Sequence, residues 1–138
     1  MTKNYWGDLS EIEEASNPLD VLKEQSGYLL SATNNIIFST VKQQSGLEYG
    51  VFDSEFSTVF SIRSKKMERY SFDVFTLLHN ITFFPMYAYI DENIAETFNL
   101  NGNRVEIEDE VEFHQFLDDM LGNSHTKSVI ASLYAMSK

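Results

Sequence analysis

The chain has 138 residues, a formal net charge of −11 from 21 acidic and 10 basic residues, and no cysteine. This length predicts a single domain, residues 1–138, that can bury roughly 68% of its unfolded surface without a metal or a disulfide. The absence of cysteine excludes disulfides, thiolate metal sites and a cysteine nucleophile. The negative charge disfavours binding to nucleic acid or to an anionic membrane surface, and it leaves a basic protein partner open.

The N-terminal segment differs from a secretory signal peptide, because Asp8, Glu11 and Glu13 interrupt it. The sequence has no run of about 18 apolar residues, so no membrane span is predicted. We therefore expect a cytoplasmic location. Residues 1–16 are predicted to form an N-terminal arm that either docks the aromatic rings of Tyr5 and Trp6 or is flexible.

The first regular element is a helix. Asn17 is a favoured N-cap, Pro18 fits the first helical position, and Asp20 complements the positive end of the helix. An apolar stripe at helical spacing extends this helix to about Thr33. Two strands are predicted next, over residues 36–42 and 48–53, with a turn at Ser45 and Gly46.

Three further strands alternate in polarity with a period of two, which predicts one buried face for each, at residues 56–63, 70–79 and 84–91. Their short connections predict an antiparallel meander.

The faces of these strands give a predicted core. Phe60, Phe72 and Val74 fall on matched faces of adjacent strands. By the same alternation Phe75 and Leu77 fall on the opposite face, so the strand over residues 70–79 is apolar on both sides. Such a strand needs a second cover, which a helix, the N-terminal arm or the second subunit of a homodimer would supply.

After the strands, Asp91 is predicted to cap a short helix that ends near Phe98, followed by a loop and a strand over residues 104–107. The alternative is a hairpin around Asn101 and Gly102. Two C-terminal helices follow. Asp109 and Glu112 resemble a capping box for the first, which Gly122 ends, and Ser124 is predicted to cap the second. The inward residues of the last helix are predicted to be Val129, Ile130, Leu133, Tyr134 and Met136.

These elements predict an α+β fold with an N-terminal helix, an antiparallel meander sheet of four or five strands and two C-terminal helices. No catalytic, cofactor-binding or metal-binding residues are predicted. The sequence has no nucleophile elbow and no phosphate-binding glycine loop. Neither His114 nor His125 has a His or Cys ligand partner three or four residues further on, although Asp118 is a possible carboxylate partner on the same helix face as His114. For His79, which ends a strand, no dyad with Asp73 is predicted.

Two sets of residues are candidates for partner binding. Residues 91–119, called the acidic block, contain ten acidic residues and one basic residue, so they carry −9 of the total charge of −11. Such a field can steer a basic partner. The candidate residues are Glu106, Glu108, Glu110 and Glu112 in the block, with Tyr87 and Tyr89 on one face of a strand. The alternatives are a solvated helix start for the acids and a position under a helix for the tyrosines.

The helix-first, antiparallel, acidic and cysteine-free plan resembles bacterial secretion chaperones in outline, although the two consecutive C-terminal helices depart from it. The same outline is similar to small inhibitor or immunity proteins, which use acidic surfaces to block basic toxins. We therefore expect a non-enzymatic module that binds an unknown protein. The alternative is a small-molecule binder or enzyme with a pocket between the sheet and the helices, lined by tyrosines and His79.

Overall fold

The computed structural model describes residues 2–11, 17–45, 54–100 and 102–138. The elements in chain order are a short 3₁₀ helix (Leu9–Glu11), α1 (Pro18–Ala32), β1 (Ile37–Ser45), β2 (Phe56–Ser64), β3 (Ser71–His79), β4 (Met86–Ile90), α2 (Glu92–Thr97), β5 (Arg104–Ile107), α3 (Glu110–Leu121) and α4 (Ser124–Met136). The strands form one antiparallel sheet in the order β1-β2-β3-β4-β5. The predicted fold class is confirmed. The strand predicted over residues 48–53 lies outside the described residues.

The helices begin where local caps satisfy their free N–H groups. The Asn17 side chain accepts a hydrogen bond from the N–H of Leu19 at 2.9 Å, as the sequence predicts. The predicted cap of α4 is wrong by one residue, because Asn123 rather than Ser124 accepts the hydrogen bond from the N–H of His125. The amide of Asn123 also donates to Thr97 Oγ1 at 2.7 Å. This second bond ties the start of α4 to α2, which explains the choice of cap.

The last turn of α4 also differs from its prediction. Leu133 is buried and Tyr134 is half-buried, but Met136 is 68% exposed. The inward position one turn after Leu133 is taken by Ser137, because residues four apart share a helix face. The hydroxyl of Ser137 is 2.6 Å from the hydroxyl of Ser64, so a polar contact joins the end of this helix to β2.

All four helices share one hydrophobic core with one face of the sheet. The helices contribute Leu19, Leu22, Ile94, Ala95, Phe113, Phe116, Leu117, Met120 and Leu133, and the strands contribute Ile37, Phe60, Ile62, Val74, Phe75, Leu77, Met86, Ala88, Ile90 and Ile107. At its centre the rings of Phe60 and Phe75 stack with centroids 5.2 Å apart, and Phe116 of α3 contacts Phe75 edge-on at 5.0 Å. Stacked and edge-on pairs are favoured by the quadrupole of the rings, so this cluster fixes α3 on the sheet.

Strand β3 contains a β-bulge at Val74. Phe60 of β2 pairs with Phe75, whereas the next residue, Ser61, pairs with Asp73. Val74 therefore has no partner on β2. An extra residue in one strand reverses the alternation of its side chains, so the residues before and after the bulge change phase.

The bulge corrects the predicted faces of this strand. Phe72, Phe75 and Leu77 all face the helices, so the prediction that Phe75 and Leu77 lie opposite Phe72 and Val74 is wrong. Phe60 and Val74 are buried in the core as predicted, and Phe72 is half-buried against it. Because the helices cover Phe75 and Leu77, the pattern of β3 gives no reason for a second subunit.

The opposite side of the sheet, called the outer face, has no helix from the described residues packed on it. By register it carries Phe38, Thr40, Lys42, Gln44, Ser57, Val59, Ser61, Arg63, Ser71, Asp73, Thr76, Leu78, Tyr87, Tyr89, Arg104 and Glu106. Near the N-terminus, Tyr5 and Trp6 are 82% and 83% exposed. Within the described ranges, no helix has the length and apolar character needed to cross a membrane.

Candidate functional site

A surface groove of about 340 Å³ lies between β5, α3 and the turn that follows α2. Its lining residues are Phe98, Leu100, Val105, Glu106, Ile107, Glu112, Gln115, Phe116, Asp119 and Met120. Phe116 and Met120 are buried, whereas Phe98 and Leu100 are 40% and 41% exposed. The groove is thus built on the core, and two of its apolar side chains are partly open to solvent.

A helix-terminating turn positions the two exposed apolar residues. Asn99 adopts the left-handed region with φ of 54°, which Asn tolerates better than most residues. The N–H of Leu100 donates to the carbonyl of Ala95, and the N–H of Asn99 donates to the carbonyl of Glu96. This pair of bonds is a Schellman motif, which ends α2 and directs the chain towards β5. The predicted order of helix, loop and strand is confirmed, and the hairpin alternative is not formed.

Three carboxylates lie among the groove's lining residues. They are Glu106 on β5, and Glu112 and Asp119 on α3. Among the described residues that line the groove there is no Lys, Arg or His. An apolar groove with carboxylates and no cation offers a negative field beside an apolar surface, which suits a ligand with both apolar and cationic groups.

The four predicted glutamates do not act as one set. Glu106 and Glu112 line the groove. The N–H of Glu108, which lies between them in the sequence, donates to Glu112 Oε2 at 3.1 Å. Glu110 instead lies 3.7 Å from the Nε2 of His114 on α3 and is absent from the groove lining.

The charge density of this region is evident at Glu108. Its hydrogen bond with Glu106 raises the pKa of the Glu108 carboxyl, and the negative charges of Glu106, Glu112 and Asp109 raise it further. Burial also raises this pKa, and it does so more than the charge of Glu112 or of Asp109. A nearby cation would act in the opposite direction and favour the charged form.

Tyr87 and Tyr89 lie on the outer face and are half-buried. The guanidinium of Arg104 lies over the ring of Tyr87, with Cζ 4.4 Å from the centroid, in a cation–π contact. Because Glu106 pairs with Tyr87 across β4 and β5, the outer face and the groove meet at Glu106. The tyrosines therefore lie beside the groove without lining it, and no described helix covers them.

The histidines hold structural positions. His79 is 2% exposed, its Nδ1 is 3.0 Å from the carbonyl of Asn80, and its Nε2 is 3.2 Å from Thr58 Oγ1. Burial lowers the pKa of His79, and the bond to Asn80 opposes this in part. The ring stacks on Phe56 with centroids 5.6 Å apart. A neutral imidazole that donates from Nδ1 and accepts at Nε2 satisfies this environment.

The two other histidines lie near carboxylates. His114 is close to Glu110, one turn before it on α3, rather than to the predicted Asp118. The Nε2 of His125 is 3.8 Å from Asp91 Oδ2. Among the described residues no group of three or more His, Asp or Glu side chains is arranged to hold a metal ion.

A second cavity, called the cleft, lies between the sheet and helices α1 and α4 and has a volume of about 250 Å³. It is lined by Gln25, Tyr28, Leu29, Ala32, Ser39, Phe60, Ile62, Leu121, Thr126 and Ile130. The position matches the alternative prediction of a pocket between sheet and helices, and Tyr28 lines it. His79 does not, because it is enclosed between aromatic rings at the end of β3.

Several of these features are absent from the sequence predictions. Phe98, Leu100 and Asp119 of the groove are not among the predicted residues, and neither is Ser39 of the cleft. The sequence does carry one signal for the groove, since Asn99 between a short helix and Leu100 is typical of a left-handed helix end. The cleft depends on packing between distant elements and has no local signal.

Comparison with known proteins adds no functional information. The chain matches no protein-family model, no curated protein and no solved structure. The geometry of the groove and the cleft is therefore the basis for any functional proposal.

Proposed function

We propose that the protein is a non-enzymatic module that binds another protein through the groove between β5, α3 and the turn after α2. The observation that carries this proposal is the combination of exposed apolar side chains, Phe98 and Leu100, with the carboxylates of Glu106, Glu112 and Asp119 in a single groove. Neither feature alone indicates a site, because solvated acids and single exposed apolar residues are common on protein surfaces.

The partner of this groove is a basic, amphipathic protein segment. Apolar side chains from the partner would pack on the exposed Phe98 and Leu100, and each such anchor gains about 1.5–3 kcal/mol when it is fully buried. Lys or Arg side chains beside the anchors would face the carboxylates of Glu106 and Asp119. Exposed charge pairs contribute only about 0.2–1 kcal/mol each, so the acids would set the association rate more than the affinity.

This proposal is compatible with an inhibitor or immunity-type role against a basic partner and with a chaperone-like role towards a basic client. A cytoplasmic location and a homodimer are separate proposals. Sedimentation at micromolar concentration tests the homodimer. Binding to nucleic acid is disfavoured by the net charge of −11, since phosphates and this surface repel each other.

The test begins with affinity capture of a partner from the lysate of the native host, followed by kinetics with the purified partner. The charge variant is Glu106→Gln with Asp119→Asn. Its matched control is Glu92→Gln with Glu96→Gln, which removes two exposed charges of α2 outside the groove. We expect the groove variant to lower the association rate roughly 3- to 10-fold at low salt, and the control to change it little.

The apolar part of the groove has its own pair of variants. Phe98→Ala should accelerate dissociation about 5-fold or more, because truncation of a central apolar anchor costs at least about 1 kcal/mol in many interfaces. Val111→Ala is the control, since Val111 is 79% exposed on α3 and does not line the groove. Equal dissociation rates for Phe98→Ala and Val111→Ala would contradict the proposal. Equal association rates for the groove charge variant and its control would also contradict it.

A further inference from the structure

The cleft contains a buried polar atom that has no hydrogen-bond partner among the described residues. The hydroxyl of Ser39 on β1 has no hydrogen-bond partner within the part of the chain that the structure describes, and Ser39 is only 8% exposed. Its backbone N–H is satisfied, because it donates to Ser26 Oγ at 3.2 Å. A buried hydroxyl without a partner is unfavourable by about 1–3 kcal/mol, so most such groups in folded proteins are satisfied.

The rest of the cleft is mainly apolar. Leu29, Ala32, Phe60, Ile62, Leu121 and Ile130 form most of the lining, and the hydroxyl of Thr126 is already used to donate to the carbonyl of Met120 at 2.9 Å. None of the described lining residues is charged. Tyr28 is 71% exposed and lines the cleft on its solvent side.

We propose that the cleft binds a small, neutral, mainly apolar molecule whose single polar group hydrogen-bonds to the hydroxyl of Ser39. A neutral ligand is required because a charged group would lose its hydration here without a charged partner. The volume of about 250 Å³ exceeds that of an apolar cavity of about 150 Å³ known to hold benzene. It therefore admits a fused bicyclic molecule or a short branched chain with one hydroxyl, carbonyl or N–H group.

This site is separate from the groove and does not depend on the proposed protein partner. The cleft faces α1 and α4, whereas the groove faces β5 and α2, and the two have no lining residue in common. Failure of the groove to bind a protein would leave the cleft unaffected, and the reverse also holds.

A matched pair of probes tests the polar contact. Indole and indene have the same size and shape, but only indole has an N–H group that can donate to Ser39 Oγ. We expect both to give saturable shifts in the amide NMR spectrum, with dissociation constants roughly millimolar or tighter. Intermolecular NOEs should connect each probe to methyl groups of Leu29, Ile62 and Ile130.

Variants then test the hydrogen bond to Ser39 and the volume of the cleft separately. Ser39→Ala should weaken indole binding roughly 3- to 10-fold and change indene binding by less than about twofold, because only indole loses a hydrogen bond. Ala32→Trp should block both probes by filling the cleft. Ala131→Trp, at an exposed position of α4 outside the cleft, is its matched control and should block neither.

Three results would overturn the proposal. They are the absence of saturable binding of either probe to the wild-type chain, NOEs to residues outside the cleft, and equal effects of Ser39→Ala on indole and indene. The NOEs are measured on the wild-type chain, so they decide the location even if Ala32→Trp fails to fold.

Discussion

Replacement of Phe75 by alanine tests the β-bulge and the core together. Phe75 is 1% exposed, stacks on Phe60 at 5.2 Å and meets Phe116 edge-on at 5.0 Å. Loss of a buried phenylalanine costs about 3–5 kcal/mol. We expect the upper half of that range, since each aromatic contact adds about 0.5–1.5 kcal/mol beyond burial. Phe72 is half-buried and has one ring contact among the described residues, to His125 at 5.7 Å, so Phe72→Ala should cost about half as much.

The measurement is urea unfolding followed by circular dichroism at the helical band, because Trp6 is exposed and reports poorly on the core. The midpoint should fall with an unchanged slope, which shows that stability rather than compactness has changed. If β3 alternated strictly, without the bulge, Phe72→Ala would lower the free energy of unfolding more than Phe75→Ala. A loss below about 1 kcal/mol for Phe75→Ala, or a larger loss for Phe72→Ala, would refute the assignment of these faces.

Three further predictions follow from single groups. Because burial lowers the pKa of His79, the unfolded chain binds more protons below pH 6.5, so the free energy of unfolding should fall as the pH drops below about 6.5; an ordinary pKa for His79 in an NMR titration would contradict this. The raised pKa of Glu108 has the opposite effect on stability, because ionisation of this carboxyl as the pH rises lowers the free energy of unfolding. Glu108→Gln should therefore not lower the free energy of unfolding at pH 7, measured in urea. Asn123→Ala should cost about 1 kcal/mol in thermal unfolding, and a larger cost for Ser124→Ala would show that the cap of α4 is misassigned.

The parts of the fold that could be predicted from the sequence depend on local signals. The cap at Asn17, the short helix after Asp91 and the order of the strands follow from residues a few positions apart. The bulge at Val74 could not be predicted, because it depends on how β3 pairs with β2 rather than on the sequence of β3 alone. The bulge also explains how Phe72, Phe75 and Leu77 all lie on the face that the helices cover.

The candidate site shows the same division between local and non-local information. Glu106 and Glu112 were predictable as members of the acidic block, since charge is visible in the sequence. The groove itself was not, because it forms only when the turn at Asn99 brings Phe98 and Leu100 beside α3. Ser39 occupies an ordinary position in an alternating strand. That its hydroxyl has no hydrogen-bond partner among the described residues is a property of packing between elements far apart in the chain.

The acids of the acidic block are not equivalent, and this decides how its charge can be tested. The side chain of Asp109 accepts a hydrogen bond from the N–H of Glu112 at 2.9 Å, and Glu112 in turn accepts one from the N–H of Glu108. Removal of Asp109 or Glu112 would weaken the start of α3, so slower binding by such a variant would carry no information about charge. Glu106 and Asp119 have no such role in a helix cap. A salt-dependent change in the association rate on their neutralisation can therefore be attributed to the field of the groove.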